Sequence, residues 1–121
     1  MKNDDLDWLL TLDGASFELA SGYVVEFTVK RSPKTDRHPH GISYALVFRR
    51  LGKSPLVKFD NAHAVTRNGR MRRKVIAFDH WHRTESDPGR PYQFESAAKL
   101  VDDFWREVKR TMNEKGIPND L

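Results

Sequence analysis

The chain has 121 residues, no cysteine, 31% charged residues and a formal net charge of +4. This length supports one core and argues against a second. The missing thiol excludes disulfides, cysteine nucleophiles and Cys-ligated zinc. Hydrophobic residues make up 38%, and no apolar run approaches the roughly 20 residues that span a bilayer.

The first residues, Met1 to Asp5, are polar and acidic, unlike a secretory leader. The reading is a soluble cytoplasmic protein, one domain over residues 1–121. Residues 1–12 form an N-terminal extension. Its apolar cluster has no clean period and fits a short helix or an opening strand. Asp13-Gly14 is a turn pair. Phe17 to Leu19 alternates, Ser21-Gly22 turns, and Tyr23 to Lys30 alternates again, with Val25, Phe27 and Val29 on one face. That is a half-buried hairpin. Residues 31–42, rich in charge and carrying Pro33, Pro39, His38 and His40, read as an exposed basic loop. Ser43 to Arg49 and Leu56 to Asp60 are the next strands, joined by a turn through Gly52 and Pro55. Residues 65–74 read as a second exposed basic loop or a long hairpin tip. Lys74 to Phe78 is a further strand, and Tyr92-Gln93-Phe94 a short last one.

The period then changes. Ala97, Leu100, Val101, Phe104, Val108 and Met112 recur at helical spacing. Ser96 suits the N-cap, Gly116 the end, and Pro118 follows. The expected helix covers 96–115, and its apolar stripe needs a partner. The expected fold is α+β: an antiparallel β-meander of four to five strands packed by a long C-terminal helix.

The charge is segregated. Residues 1–30 carry two Lys/Arg against six Asp/Glu, whereas residues 31–94 carry fourteen against five and hold all five histidines. Arg67, Arg70, Arg72, Arg73 and Lys74 form a local run. Such a block attracts a polyanion such as RNA, or an acidic protein.

Phe78-Asp79-His80-Trp81-His82-Arg83 is the most unusual segment. If the preceding strand continues, His80 and His82 share one face and Asp79 and Trp81 the other. Two imidazoles on one face can bind a metal, or act as general base and general acid in metal-free RNA cleavage. The latter scheme needs a cation for the phosphorane, which Arg83 and Arg90 supply. The group Phe59-Asp60-Asn61-Ala62-His63 ends the preceding strand and adds His63; Asp60 and Asn61 are equally suited to turn chemistry. The candidate catalytic residues are His80, His82, Arg83, Asp79 and His63. The candidate substrate-binding residues are Arg70, Arg72, Arg73, Lys74, Arg90 and Tyr92. Trp81 reads first as packing and Trp105 as packing or a partner surface. No Gly-rich phosphate loop, Gly-x-Ser-x-Gly elbow or His-Glu-x-x-His is present.

Three features occur in order: Phe59-Asp60-Asn61 after a Leu-Val strand, then Asp79-His80-Trp81-His82, then Pro91-Tyr92-Gln93-Phe94 before the helix with Asp103-Phe104. In these, over roughly residues 13–110, the sequence resembles the TumE family, the toxin component of bacterial and archaeal toxin–antitoxin modules. The chain departs from that pattern in a longer connection between Asn61 and Asp79 and in Glu85-Ser86-Asp87-Pro88-Gly89. The resemblance implies a toxin neutralised by a DNA-binding antitoxin, commonly of helix-turn-helix type, and less directly an action on RNA.

Three readings follow. The first is a metal-independent ribonuclease toxin that needs no cofactor, takes RNA as substrate and has no membrane partner. The second is a non-catalytic module that docks nucleic acid or a partner protein. The third is a metal-dependent phosphodiesterase using His63, His80, His82 and Asp60 or Asp79.

Overall fold

The structure is a computed structural model that describes residues 4–35, 40–61, 65–67, 74–77, 79–82 and 90–118. The elements in chain order are α1 (Asp4–Leu10), β1 (Ser16–Glu18), β2 (Tyr23–Arg31), β3 (Ile42–Arg50), β4 (Pro55–Asp60), β5 (Val65–Arg67), β6 (Lys74–Ala77), β7 (His80–His82), β8 (Arg90–Pro91) and α2 (Ala97–Lys115). The class is α+β, as the order of sequence periods predicts. The main sheet has the order β1-β2-β3-β4-β7-β8, every neighbouring pair antiparallel. β5 and β6 form a separate two-stranded sheet.

Alternation makes the two long strands. β2 and β3 pair along their full lengths, from Tyr23 opposite Arg50 to Arg31 opposite Ile42. β3 alternates buried and half-buried residues along most of its length, as a strand with one covered face does. Val25, Phe27, Val29, Tyr44, Leu46, Phe48, Val57 and Phe59 are buried on that face. The covering element is α2, whose Leu100, Phe104, Val108 and Met112 are buried in the same core. Phe104 meets Phe27 and Phe59 edge-on, with ring centroids 5.7 and 5.9 Å away, a favoured aromatic geometry.

The ends of α2 are chemically specified. The Ser96 side chain accepts from Lys99 N–H at 3.1 Å. Asp5 of α1 accepts from the N–H groups of Ala97 and Ala98, so two residues satisfy the open first turn. At the other end Gly116 adopts φ 68, and Ile117 N–H donates to Met112 O at 2.8 Å. A left-handed residue here is why glycine stands at the end. The segment read as an extension is therefore built into the molecule. Residues 4–10 resolve to a helix, Leu9 is fully buried, and Asp5 caps α2. Trp105 lies against Phe17, Phe27 and Phe104, the packing role.

Two expectations change. Tyr92 to Phe94 is not a strand; the closing strand is the two residues before it, Arg90–Pro91. The run from Lys74 does not continue into His80. β6 pairs with β5, whereas β7 pairs with β4 and β8. The chain changes sheets next to Asp79, and the hydrogen-bonding partner, not the side-chain pattern, makes the break. Residues 65–67 and 74 of the expected basic loop are strand residues, while 68–73 lie outside the described residues. Among the described residues no helix is long and apolar enough to cross a membrane.

Candidate functional site

The site region is the β4–β7–β8 end of the sheet. The β4–β7 register sets Asp60 opposite His80, Phe59 opposite Trp81 and Lys58 opposite His82. Phe59 and Trp81 stack at 5.5 Å with planes 23° apart. Trp81 therefore packs on the helix-facing core and holds β7 in register. Lys58 and Asp60 alternate with Phe59. Their side chains meet, Lys58 Nζ to Asp60 Oδ2 at 3.2 Å, and Asp60 has no exposed surface. A buried carboxylate is tolerated with such a cation beside it.

Asn61 continues the β3 ladder through its side chain. Tyr44 N–H donates to Asn61 Oδ1 and Asn61 Nδ2 donates to Ile42 O, both at 2.9 Å. An amide offers both a donor and an acceptor, so it substitutes for a strand residue where β4 has ended. Asn61 thus has a structural role, the use of local polar chemistry that its residue type favours, made here with a strand 17 to 19 residues away.

A polar line runs from there to α2. The Tyr44 hydroxyl donates to Asp79 Oδ2 at 2.8 Å. The Tyr92 N–H donates to Asp79 O at 2.9 Å, and the Tyr92 hydroxyl donates to Asp103 Oδ2 at 2.7 Å. Lys99 Nζ and Arg106 lie 3.0 and 3.1 Å from the same carboxylate. Burial pushes the Tyr44 phenol far up, and the Asp79 charge and hydrogen bond add to it. Burial likewise raises Tyr92, helped by its bond to Asp103. Burial pushes Asp103 up, but the Tyr92 hydroxyl, Lys99 and Arg106 outweigh it and hold the carboxyl below the usual range. Both phenols therefore stay protonated as donors, and Asp103 stays an ionised acceptor, across ordinary pH.

The sequence candidates separate accordingly. Asp79, His80, His82 and Tyr92 come together on β7 and its flanks, with Arg90 opposite Trp81 in the register of β8. Lys74 lies on β6, in the other sheet. His63, Arg70, Arg72, Arg73 and Arg83 lie outside the described residues. Among the described residues no group of three or more His, Asp or Glu side chains can hold a metal ion. Sequence reasoning missed Tyr44, Lys58 and Lys99 as neighbours of the site, and took Asp103 only as part of a motif. Tyr44 was legible as an inward strand residue, but its partner is 35 residues away. The one advance signal for Asp103 was a carboxylate on a helix beside the apolar stripe.

Neither a curated protein nor a solved structure matches the chain. The family model described as toxin TumE matches residues 10–112. That span includes the whole sheet and most of α2, and it holds the Asp60-Asn61, Asp79-to-His82 and Pro91-Tyr92 segments that build this end of the fold. A toxin family implies an antitoxin partner in general. By a match that covers most of its length and every element of the site, the chain belongs to the toxin TumE family.

Proposed function

We propose that this toxin cleaves RNA without a metal ion, with His80 and His82 as the acid–base pair. The observation that carries the reading is the β4–β7 register, which sets His80 across from the buried Asp60 and His82 across from Lys58. His80 and His82 share the base and acid roles. One takes the ribose 2′-hydroxyl proton, and the 2′-oxygen attacks phosphorus. The other protonates the departing 5′-oxygen, leaving a 2′,3′-cyclic phosphate and a 5′-hydroxyl. Arg83 and Arg90 stabilise the phosphorane. Arg70, Arg72, Arg73 and Lys74 hold the RNA backbone, so binding weakens steeply with salt. Asp79 and Tyr92 act as positioning residues through Tyr44 and Asp103. A helix-turn-helix antitoxin covers the basic block through complementary charge.

The test is RNA cleavage by the purified chain in EDTA, beside the His80→Ala/His82→Ala variant. Cleavage by the first alone, with cyclic phosphate ends, is the expected result. Cleavage only after divalent metal is added replaces this reading with a metal-dependent phosphodiesterase. No cleavage by a folded preparation in either condition replaces it with a non-catalytic binding module.

A further inference from the structure

A cavity of about 620 Å³ lies between α1 and the β2–β3 connection, and among the described residues none of β7 or β8 lines it. Leu6 and Leu10 of α1 and Ile42 of β3 give it an apolar wall. Arg31, Lys34 and His40 give it a cationic and aromatic rim. The rim is arranged by the backbone. Gly41 adopts φ 76, and a Cβ there would stand 3.3 Å from Lys34 Cγ. The lysine stem therefore crosses bare backbone, while Ser32 N–H donates to Gly41 O at 2.9 Å and closes the neck. Among the described residues no carboxylate pairs with the Lys34 ammonium, whereas Arg31 Nη2 reaches Asp7 Oδ1 at 3.3 Å. The His40 ring sits 4.4 Å from Phe94, the two planes tilted by 37°.

The size falls within the range of small-ligand pockets, and the lining is more polar than apolar. Asp7 also lines the cavity and pairs with Arg31, so the two cations leave one net positive charge, centred on Lys34, which calls for an anion. The wall and the ring call for a flat apolar body attached to it, which a bare phosphate lacks. We propose that this cavity binds a nucleotide, its phosphate on Lys34 and Arg31 and its base against Leu6, Leu10 and Ile42 beside His40. None of these residues belongs to the proposed cleavage machinery, so the pocket is a second site. The same chemistry is offered by a free nucleoside monophosphate and by the 5′-phosphorylated end of an RNA strand.

The test is a titration of the full chain followed by amide ¹H–¹⁵N spectra, with uridine 5′-monophosphate, uridine and inorganic phosphate as separate probes. The monophosphate is expected to shift the amides of Ser32, Lys34, Gly41 and Ile42. Uridine and phosphate alone are expected to bind at least about tenfold more weakly, each lacking one half of the contacts. Lys34→Gln, at an exposed position that folding does not need, should weaken the monophosphate about tenfold, the loss of one charge-assisted contact. No shifts at these amides, equal binding of inorganic phosphate, or full binding by folded Lys34→Gln each overturns the assignment. Competition with 5′-phosphorylated tetrauridylate then names the source. Displacement at lower concentration than the free monophosphate identifies an RNA end, and weaker displacement a free nucleotide.

Discussion

The middle of the sheet and its β7–β8 end are held in different ways. At β2 and β3, nine-residue strands pair along their whole length, and α2 covers their inner face with Leu100, Phe104 and Val108. At β7 and β8 the strands have three and two residues, too few for a ladder to hold them unaided. That end is fixed by side chains: Phe59 on Trp81, Tyr44 on Asp79 and Tyr92 on Asp103. The middle rests on non-directional burial and repeated backbone bonds. The β7–β8 end rests on a few specific groups, and those groups flank the histidines. Such an end is expected to open at lower free energy than the core strands.

The largest effect should come where the two regions share a residue. Phe104→Ala removes the ring that touches both Phe27 and Phe59, and should cost about 3–5 kcal/mol in urea unfolding. A loss below about 1 kcal/mol would mean that α2 does not bind the two halves together. Asn61→Ala should come next, at roughly 1–3 kcal/mol, because it strands the Tyr44 N–H and Ile42 C=O away from water. Its distinguishing sign is local. Amide exchange should quicken at Tyr44 and across β7 while the middle of β2 stays protected.

Tyr92→Phe should cost least, about 1 kcal/mol at neutral pH, since one half-exposed charged hydrogen bond is lost. The pH dependence sharpens this. Asp103 is held below its ordinary value when folded, so its contribution is complete above about pH 4 and fades on acidification. The gap between wild type and Tyr92→Phe should therefore narrow as pH falls from about 5 to 2. The tyrosines run the other way. Their folded values are raised, so their contribution is complete below about pH 10 and is lost as pH climbs past it. Alkaline unfolding monitored by phenolate absorbance should show Tyr44 ionising only as the protein opens.

The comparison also explains what the sequence made legible. β2, β3 and α2 are long enough for their periods to show, and Ser96 and Gly116 carry cap chemistry in their residue types. Trp81 packs on the core, the role its residue type favoured. The switch between sheets beside Asp79 was not legible, because strands that alternate alike look the same whichever neighbour they bond. Nor was the Tyr44–Asp79–Tyr92–Asp103 line. Its members come from four segments, and each residue has a commonplace local reading. The cap that Asp5 places on Ala97 joins positions 92 residues apart, beyond any local pattern.

The sheet's two borders also differ in what they offer a neighbouring strand. Tyr92 N–H points back toward β7, to Asp79 O, so by alternation the nitrogen of Pro91 points outward. That nitrogen bears no hydrogen, and the border it occupies is only two residues long. The β1 border presents Ser16, Phe17 and Glu18, all exposed, with ordinary amides. Growth of this sheet by strand addition is therefore one-directional: disfavoured beside the histidines and permitted at the far side.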